Sequence, residues 1–155
     1  MNIRKVKKTD FDSILDLQLQ LEDAECIYDS NLVKHCYATE EGKKRLKKRI
    51  SKRSNIFFVA VNDDNNVIGF VDGYIPEDEW WYKEPVAYLD HIVVDKKYRK
   101  KGVASKLIEK FEETIKENNV KRIKLNAFPD NIPAINLYTK FGFKCYSSYY
   151  DKIIK

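Results

Sequence analysis

A hydrophobic strand gives way to a helix in the stretch Val94-Asp95-Lys96-Lys97-Tyr98-Arg99-Lys100-Lys101-Gly102-Val103-Ala104-Ser105-Lys106-Leu107. The small residues Gly102 and Ala104 lie where the backbone turns, so an anion can approach the main chain closely. The first N–H groups of a helix have no partner inside the helix and carry a partial positive charge, to which basic residues at 99–101 add full charges. The stretch therefore predicts an anion site at a helix N-terminus, although a basic loop that only caps the helix would contain the same residues.

Two common phosphate-binding motifs are excluded. The chain contains no Gly-x-x-x-x-Gly-Lys-Ser/Thr, which excludes a Walker-type loop, and no Gly-x-Gly-x-x-Gly, which excludes the usual dinucleotide turn. From these residues alone, the identity of the anion stays open.

The rest of the chain alternates between strand and helix patterns. Before the junction, the periodicity predicts a strand over 2–6, helices over 9–24 and 40–52, and strands over 56–61, 67–75 and 87–94. After the junction, it predicts a helix over 103–118, a strand over 122–127, a helix over 132–141, and two short strands in the tail 143–154.

The composition is typical of one soluble globular domain over residues 1–155, with 43% hydrophobic and 34% charged residues. No apolar run approaches the length of about 18 residues that a membrane span needs, and no apolar signal segment follows Met1, so we expect a cytoplasmic protein without a membrane partner. The three cysteines, Cys26, Cys36 and Cys145, lack metal-ligand spacing and favour reduced thiols.

The net charge of +5 is local in origin. Eight of the eleven residues from Lys43 to Arg53 are basic, and without them the chain would be net negative. A nucleic-acid-binding protein would spread its positive charge along a face with aromatic residues for stacking, so a nucleic-acid partner is not favoured. Leu46 and Ile50, spaced i and i+4, predict instead a solvated helix that turns these two residues inward.

Two motifs together resemble the Gcn5-related N-acetyltransferase family. Its loop pattern Arg/Gln-x-x-Gly-x-Gly/Ala matches Arg99, Gly102 and Ala104. The segment 131–143 is similar to its second motif, Asn-x-x-Ala-x-x-x-Tyr-x-x-x-Gly-Phe, with Tyr138 at the tyrosine. The order of elements also fits, so the resemblance covers essentially the whole chain. It implies an α+β (mixed α/β) fold in which about four helices flank a twisted, mostly antiparallel sheet of six to seven strands.

The resemblance also implies acetyl-coenzyme A as co-substrate and no metal ion. The residues that would bind the pyrophosphate are Arg99, Lys100, Lys101, Gly102, Val103, Ala104 and Ser105. Main-chain groups of Ile92, Val93 and Val94 would pair with the pantetheine arm like an added strand. From the second motif, Asn131, Asn136 and Tyr138 would contact the cofactor, although Asn131 could equally cap a helix.

Transfer of an acetyl group to an amine needs a proton acceptor and a proton donor, because a lysine-like amine, with a pKa of about 10.4, is mostly protonated at neutral pH. Asp90, midway along the predicted strand, is the first candidate acceptor, and a similar acidic residue occupies this place in the polyamine acetyltransferases that Tyr88-Leu89-Asp90-His91 resembles. Because side chains alternate along a strand, we expect only one of Asp90 and His91 to face the cleft. By resemblance, Tyr138 would protonate the departing thiolate; packing in the core is its alternative role.

The loop 76–85 carries four acidic and three aromatic residues. Carboxylates attract an ammonium group, and aromatic faces add a cation–π attraction of about 0.5 to 2 kcal/mol. The predicted acceptor-binding residues are Asp90, Glu77, Asp78, Trp80 and Trp81. A lid or a homodimer contact would also use these tryptophans. Three functions follow: acetylation of a small cationic amine such as a polyamine, acetylation of a protein or peptide amine, and non-catalytic sensing of acetyl-coenzyme A.

Overall fold

The computed structural model describes residues 1–154. Strand β1 spans Asn2–Lys5, and helices α1 (Phe11–Glu25) and α2 (Glu40–Ser51) follow. Next come strands β2 (Asn55–Val61), β3 (Val67–Tyr74) and β4 (Val86–Val94), helix α3 (Val103–Glu117), strand β5 (Arg122–Lys124) and helix α4 (Ile132–Lys140). The predicted α+β fold is confirmed, and the strand that precedes the basic loop and the helix that follows it lie where the sequence places them.

Five strands form one sheet among the described residues, in the order β1-β2-β3-β4-β5. The first four are antiparallel, and β5 runs parallel to β4. The expected six to seven strands are therefore too many, because the tail from Phe143 to Ile154 forms no strand. A strand needs a partner of comparable length, and β5, with three residues, offers little edge for pairing.

Helices cover both faces of the sheet. On one face, α3 buries a cluster that includes Phe58, Val71, Leu89, Leu107 and Phe111. On the other, α1 and α2 bury a cluster that includes Ile14, Leu17, Leu46, Phe57, Phe70 and Val93. Within residues 1–154, no helix is long and apolar enough to cross a bilayer. Strand β4 therefore lies between β3 and β5, with α3 packed on one face of the sheet and α1 and α2 on the other.

Candidate active site

Strands β4 and β5 diverge after a short pairing. They pair only at Val86–Tyr88 against Arg122–Lys124. Among residues 1–154, no strand pairs with the rest of β4 on that side, which leaves an open edge along Leu89–Val94. The predicted strand 122–127 accordingly ends at Lys124, since β4 has moved out of reach. An open edge presents main-chain N–H and C=O groups to an extended ligand.

The divergence begins at a β-bulge centred on Asp90. Asp72 of β3 pairs with His91, and the next residue, Gly73, pairs with Leu89, so Asp90 is the extra residue. A bulge bends and twists its strand, which turns β4 away from β5. Glycine is needed opposite the bulge, because a Cβ at Gly73 would collide with the carbonyl oxygen of Tyr88.

The bulge also places Asp90 and His91 on the same side of the sheet. Polar atoms of Asp72, Asp90 and His91 all lie within 4.8 Å of one another. The expectation that only one of Asp90 and His91 faces the cleft is therefore wrong. Strict alternation holds for a regular strand, and the extra residue at position 90 breaks it.

Arg49 of α2 joins Asp72, His91 and Gln18 in one group of polar and charged side chains, which we call the Arg49 cluster. Asp72 is buried and contacts Arg49 Nε at 3.3 Å and His91 Nδ1 at 3.0 Å through its two carboxylate oxygens. Arg49 Nη2 donates to Gln18 Oε1 at 2.7 Å. Arg49 Nη1 lies 3.3 and 3.4 Å from the two ring nitrogens of His91, so the guanidinium lies beside the imidazole ring. This cation already neutralises Asp72, and it would repel a metal ion at the same carboxylates.

Asp90 opens onto a pocket of about 580 Å³ beside the Arg49 cluster. The residues that line it are Glu41, Lys44, Arg45, Lys48, Arg49, Lys52, Asn55, Tyr74 and Asp90. Asp90 is exposed as a residue, and the protein around the pocket removes part of the water from its carboxylate. Desolvation there, together with the charge of Asp72, raises the pKa of Asp90 despite the opposing charges of His91 and Arg49. A carboxylate with a raised pKa is a better proton acceptor than an ordinary one.

The basic loop at the end of β4 is fixed to its neighbours. Asp95 accepts hydrogen bonds from Gln20 Nε2 of α1 at 3.0 Å and from the Lys97 N–H at 2.8 Å. Arg99 Nε donates to the Val94 carbonyl oxygen at 3.1 Å, which folds this side chain back on the strand end. The loop is therefore held in place before any anion binds.

Gly102 begins helix α3 in a left-handed conformation, with φ of 78°. A Cβ there would meet nothing within 4 Å, so the space above the turn is open. The next residues, Val103, Ala104 and Ser105, form the first turn of α3, whose N–H groups have no acceptor inside the helix. The predicted anion-binding residues thus come together at one open helix N-terminus.

The second motif forms helix α4 and its ends. Asn131 Oδ1 accepts a hydrogen bond from the Ala134 N–H at 3.3 Å, so Asn131 caps the helix. Gly142, with φ of 83°, ends the helix and directs Phe143 back against Tyr138, with ring centroids 5.9 Å apart. Asn136 lies exposed on the helix surface.

Tyr138 shares an electrostatic environment with Glu25, the last residue of α1. Burial, and then the charge of Glu25, raise the pKa of Tyr138 to about 12. Burial and the charge of Glu22 raise the pKa of Glu25, against the opposing charge of His91. The charge of Glu25 therefore acts on Tyr138, and the charge of His91 acts on Glu25.

Glu25, Asp72 and Arg49 are site residues that sequence reasoning missed. Asp72 alone carried a usable signal, because a carboxylate in the hydrophobic strand 67–75 must find a buried partner. Arg49 was hidden among the basic residues of α2, whereas in the structure it points inward between Leu46 and Ile50. Glu25 ends a helix whose polar residues blur the apolar pattern.

The loop between β3 and β4 lies at the edge of the site. Its predicted acceptor-binding residues Glu77, Asp78, Trp80 and Trp81 are all exposed, Trp80 to 84% and Trp81 to 59%. Glu79 turns inward instead, and the Tyr88 hydroxyl donates to it at 2.6 Å. The structure thus brings Asp90, His91 and Tyr74 together and leaves the two tryptophans on the surface.

Comparison with known proteins identifies a family. The profile of the family described as "Acetyltransferase (GNAT) family" matches residues 19–143. The spermine/spermidine N(1)-acetyltransferase of Bacillus subtilis is 34% identical over 88 residues, which are 56% of this chain and 58% of that protein. The N-alpha-acetyltransferase of Saccharolobus solfataricus is 35% identical over 97 residues, which are 57% of this chain and 56% of that protein.

A solved structure shares the fold along the whole chain. A mutant BH1408 protein from Bacillus halodurans superposes with a TM-score of 0.87 at 17% identity, covering 100% of both chains. At this identity the likeness concerns the fold alone. The chain spans about half the length of the curated relatives it matches.

Proposed function

This chain belongs to the acetyltransferase (GNAT) family, and on that basis we propose that it is an acetyl-coenzyme A-dependent N-acetyltransferase that acts on a primary amine by direct attack. One observation carries the proposal: the open edge of β4, Leu89–Val94, contains the bulge residue Asp90 and leads through the basic loop to the helix N-terminus at Gly102. An extended ligand with a pyrophosphate at one end and a reactive group at the other fits such an edge.

The residues along this edge suit acetyl-coenzyme A. The N–H groups of the first turn of α3 and the charges at 99–101 would hold the pyrophosphate. Main-chain groups of Ile92–Val94 would hold the pantetheine arm as an added strand. When bound, acetyl-coenzyme A supplies the acetyl group as a thioester, whose C–S bond breaks as the C–N bond of the amide forms.

Side chains at the bulge and on α4 would transfer the protons of the proposed reaction. Asp90 or His91 would accept the proton that the ammonium group must lose before it attacks, directly or through water. Tyr138 would donate its proton to the departing thiolate. A phenol with a pKa of about 12 is fully protonated at neutral pH and so has this proton to give.

The first candidate acceptor is a small cationic amine such as a polyamine. Burial is the largest cause of the raised pKa of Tyr74, and the negative charges of Asp90 and Glu79 raise it further, so both carboxylates act on this side chain. Among residues 1–154, Glu79 Oε2 is buried and has no hydrogen-bond partner. A cationic group would supply one. The name of the Bacillus subtilis relative, spermine/spermidine N(1)-acetyltransferase, agrees with this choice.

A protein or peptide amine is the second candidate. Four basic residues of α2 and Lys52, which follows it, line the pocket at Asp90, and such a wall repels a polycation while attracting an acidic chain. The N-alpha-acetyltransferase of Saccharolobus solfataricus is a relative of about the same identity.

Thiol release tests the proposal. The protein would be incubated with acetyl-coenzyme A and a panel of polyamines, monoamines and peptides, while free thiol is monitored with a chromogenic disulfide. We expect release that depends on one class of amine. Binding of acetyl-coenzyme A, measured by calorimetry, without release on any amine would instead identify a non-catalytic sensor.

A further inference from the structure

The pocket at Asp90 has two walls of opposite character. Asp90 and Tyr74, from β4 and the end of β3, form one wall, and α2 forms the other. On the α2 side, Lys44 and Lys48 lie four residues apart on one face of the helix, and Lys52, the residue that caps its C-terminus, follows four residues later, so the three form a row along this wall of the pocket.

The lysine row is not neutralised by the protein. Within residues 1–154, the basic pocket residues that form ion pairs are Arg45, 3.0 Å from Glu41, and Arg49, 3.3 Å from Asp72. The three lysines of the row have no such partner and are exposed. Charges that only keep a helix soluble are usually interspersed with the opposite sign, as in the pair Arg45–Glu41.

The opposite wall offers one available carboxylate. Of the two acidic residues that line the pocket, Glu41 is engaged by Arg45. Asp90 makes no side-chain hydrogen bond or ion pair among the described residues, and it lies at the bulge where the open edge of β4 begins. An ammonium group therefore has one favourable place in this pocket, and a second ammonium group would meet the lysine row.

We propose that the acceptor is a small amine that also carries a carboxylate or a phosphate, with its amine at Asp90 and its anionic group at Lys44, Lys48 and Lys52. This inference rests on the proposed acetyltransferase function, and it favours an acceptor with charges of both signs over the polyamine considered there. The lysine row then selects the acceptor, and Asp90 orients the nitrogen that reacts. Because the row is solvent-exposed, its attraction falls as salt rises.

Matched acceptors of one chain length test the inference. Binding of 6-aminohexanoate, 5-aminopentyl phosphate, hexylamine and 1,6-diaminohexane would be measured by calorimetry with coenzyme A present, at low and at high salt. Thiol release with acetyl-coenzyme A would be measured on the same four amines. We expect at least one of the two anionic amines to bind about tenfold more tightly than hexylamine and the diamine, with the difference shrinking in high salt. The carboxylate and phosphate arms show which anion is preferred.

Charge reversal on the row gives the second test. Lys48→Glu should remove the preference for the anionic amines and improve diamine binding. Lys116→Glu, an exposed lysine on α3 away from the pocket, makes the same change in net charge and should leave the preference unchanged.

Three results would overturn the inference: diamine binding as tight as that of the anionic amines, an unchanged preference in Lys48→Glu, or binding of none of the four probes. The first would favour Glu79 as a second ammonium site. The proposed function would survive each of these results as long as some amine still releases thiol, so the two failures are distinguishable.

Discussion

Two regions of the candidate site are built in different ways: the open edge of β4, and the face of the sheet that packs against α1 and α2. On the side of the open edge, the site consists of main-chain groups and a glycine turn, from Ile92 to Ser105, within one short stretch of chain. On the side of α1 and α2, it consists of side-chain charges, and Gln18, Arg49, Asp72 and His91 come from four separate elements. In the proposed function, the first is a local site for an anion, and the second is an assembled site for an amine.

This difference explains which of the two regions can vary in its side chains. A main-chain site depends on backbone shape and on a few small residues, so the proposed cofactor edge tolerates many substitutions in the surrounding side chains. A site of side chains on helices can change its acceptor by substitutions on α2 without disturbing the cofactor edge. Because the bulge at Asp90 belongs to both the open edge and the Arg49 cluster, it would keep the two reacting groups of the proposed reaction together.

Breaking the Arg49 cluster should have the largest effect. Asp72→Asn leaves the Arg49 charge largely buried without a partner, so we expect a loss of about 3 kcal/mol or more in the free energy of unfolding, measured by urea denaturation. Asp63→Asn, at an exposed carboxylate that pairs with the N-terminus, is the control and should change little. The double variant Arg49→Met with Asp72→Asn should recover part of the loss, since no charge is left alone. Equal stability of Asp72→Asn and the wild type would show that the cluster is not a unit.

The second prediction concerns Tyr138, the proposed proton donor. Tyr138→Phe keeps the ring packed on Phe143 and removes the hydroxyl. We expect kcat to fall by about 100-fold, as for the loss of a general acid, with little change in the affinity for acetyl-coenzyme A. Steady-state kinetics and calorimetry separate the two quantities. A kcat like that of the wild type would remove Tyr138 from the mechanism.

A smaller effect is expected at the glycine turn. Gly102→Ala and Gly142→Ala each place a Cβ in open space at a positive φ, so each should cost about 1 to 2 kcal/mol of stability through backbone strain. Gly102→Ala should also weaken the binding of acetyl-coenzyme A, whereas Gly142→Ala should not. Similar affinity in both variants would argue that the anion does not lie at the start of α3.

The contrast between the local region and the assembled region also separates what the sequence could predict from what it could not. The strand, the glycine turn and the start of α3 follow from local patterns, so their placement needs no knowledge of distant residues. The end of β5 at Lys124 and the missing tail strands depend on where β4 bends, which no local pattern contains. The bulge itself depends on the register between β3 and β4, and for that reason the alternation rule failed at Asp90 and His91.

Assembled side chains were the harder part of the site. Arg49 is one of eight basic residues in a run, and periodicity marked Leu46 and Ile50 as inward without showing that the residue between them turns inward too. Its partner Asp72 lies on a strand 23 positions later in the sequence. Glu25 is joined to His91 and Tyr138 only by charge across the folded chain. Such groups become visible once the elements are packed.

The smallest expected effect lies in the coupling between Glu25 and Tyr138. The anionic form of Glu25 disfavours ionisation of the phenol, so Glu25→Gln should lower the pKa of Tyr138 from about 12 towards its ordinary value. The pKa should stay raised, because burial is the larger cause and the substitution leaves it in place. Titration of tyrosine labelled at Cζ, followed by carbon NMR with Tyr138→Phe to assign the signal, measures the shift. Glu117→Gln, at an exposed residue near the end of α3, should leave that titration unchanged. An identical Tyr138 titration in Glu25→Gln and the wild type would show that the charge of Glu25 on α1 does not act on Tyr138. The open edge and the Arg49 cluster would then be connected through Asp90 alone.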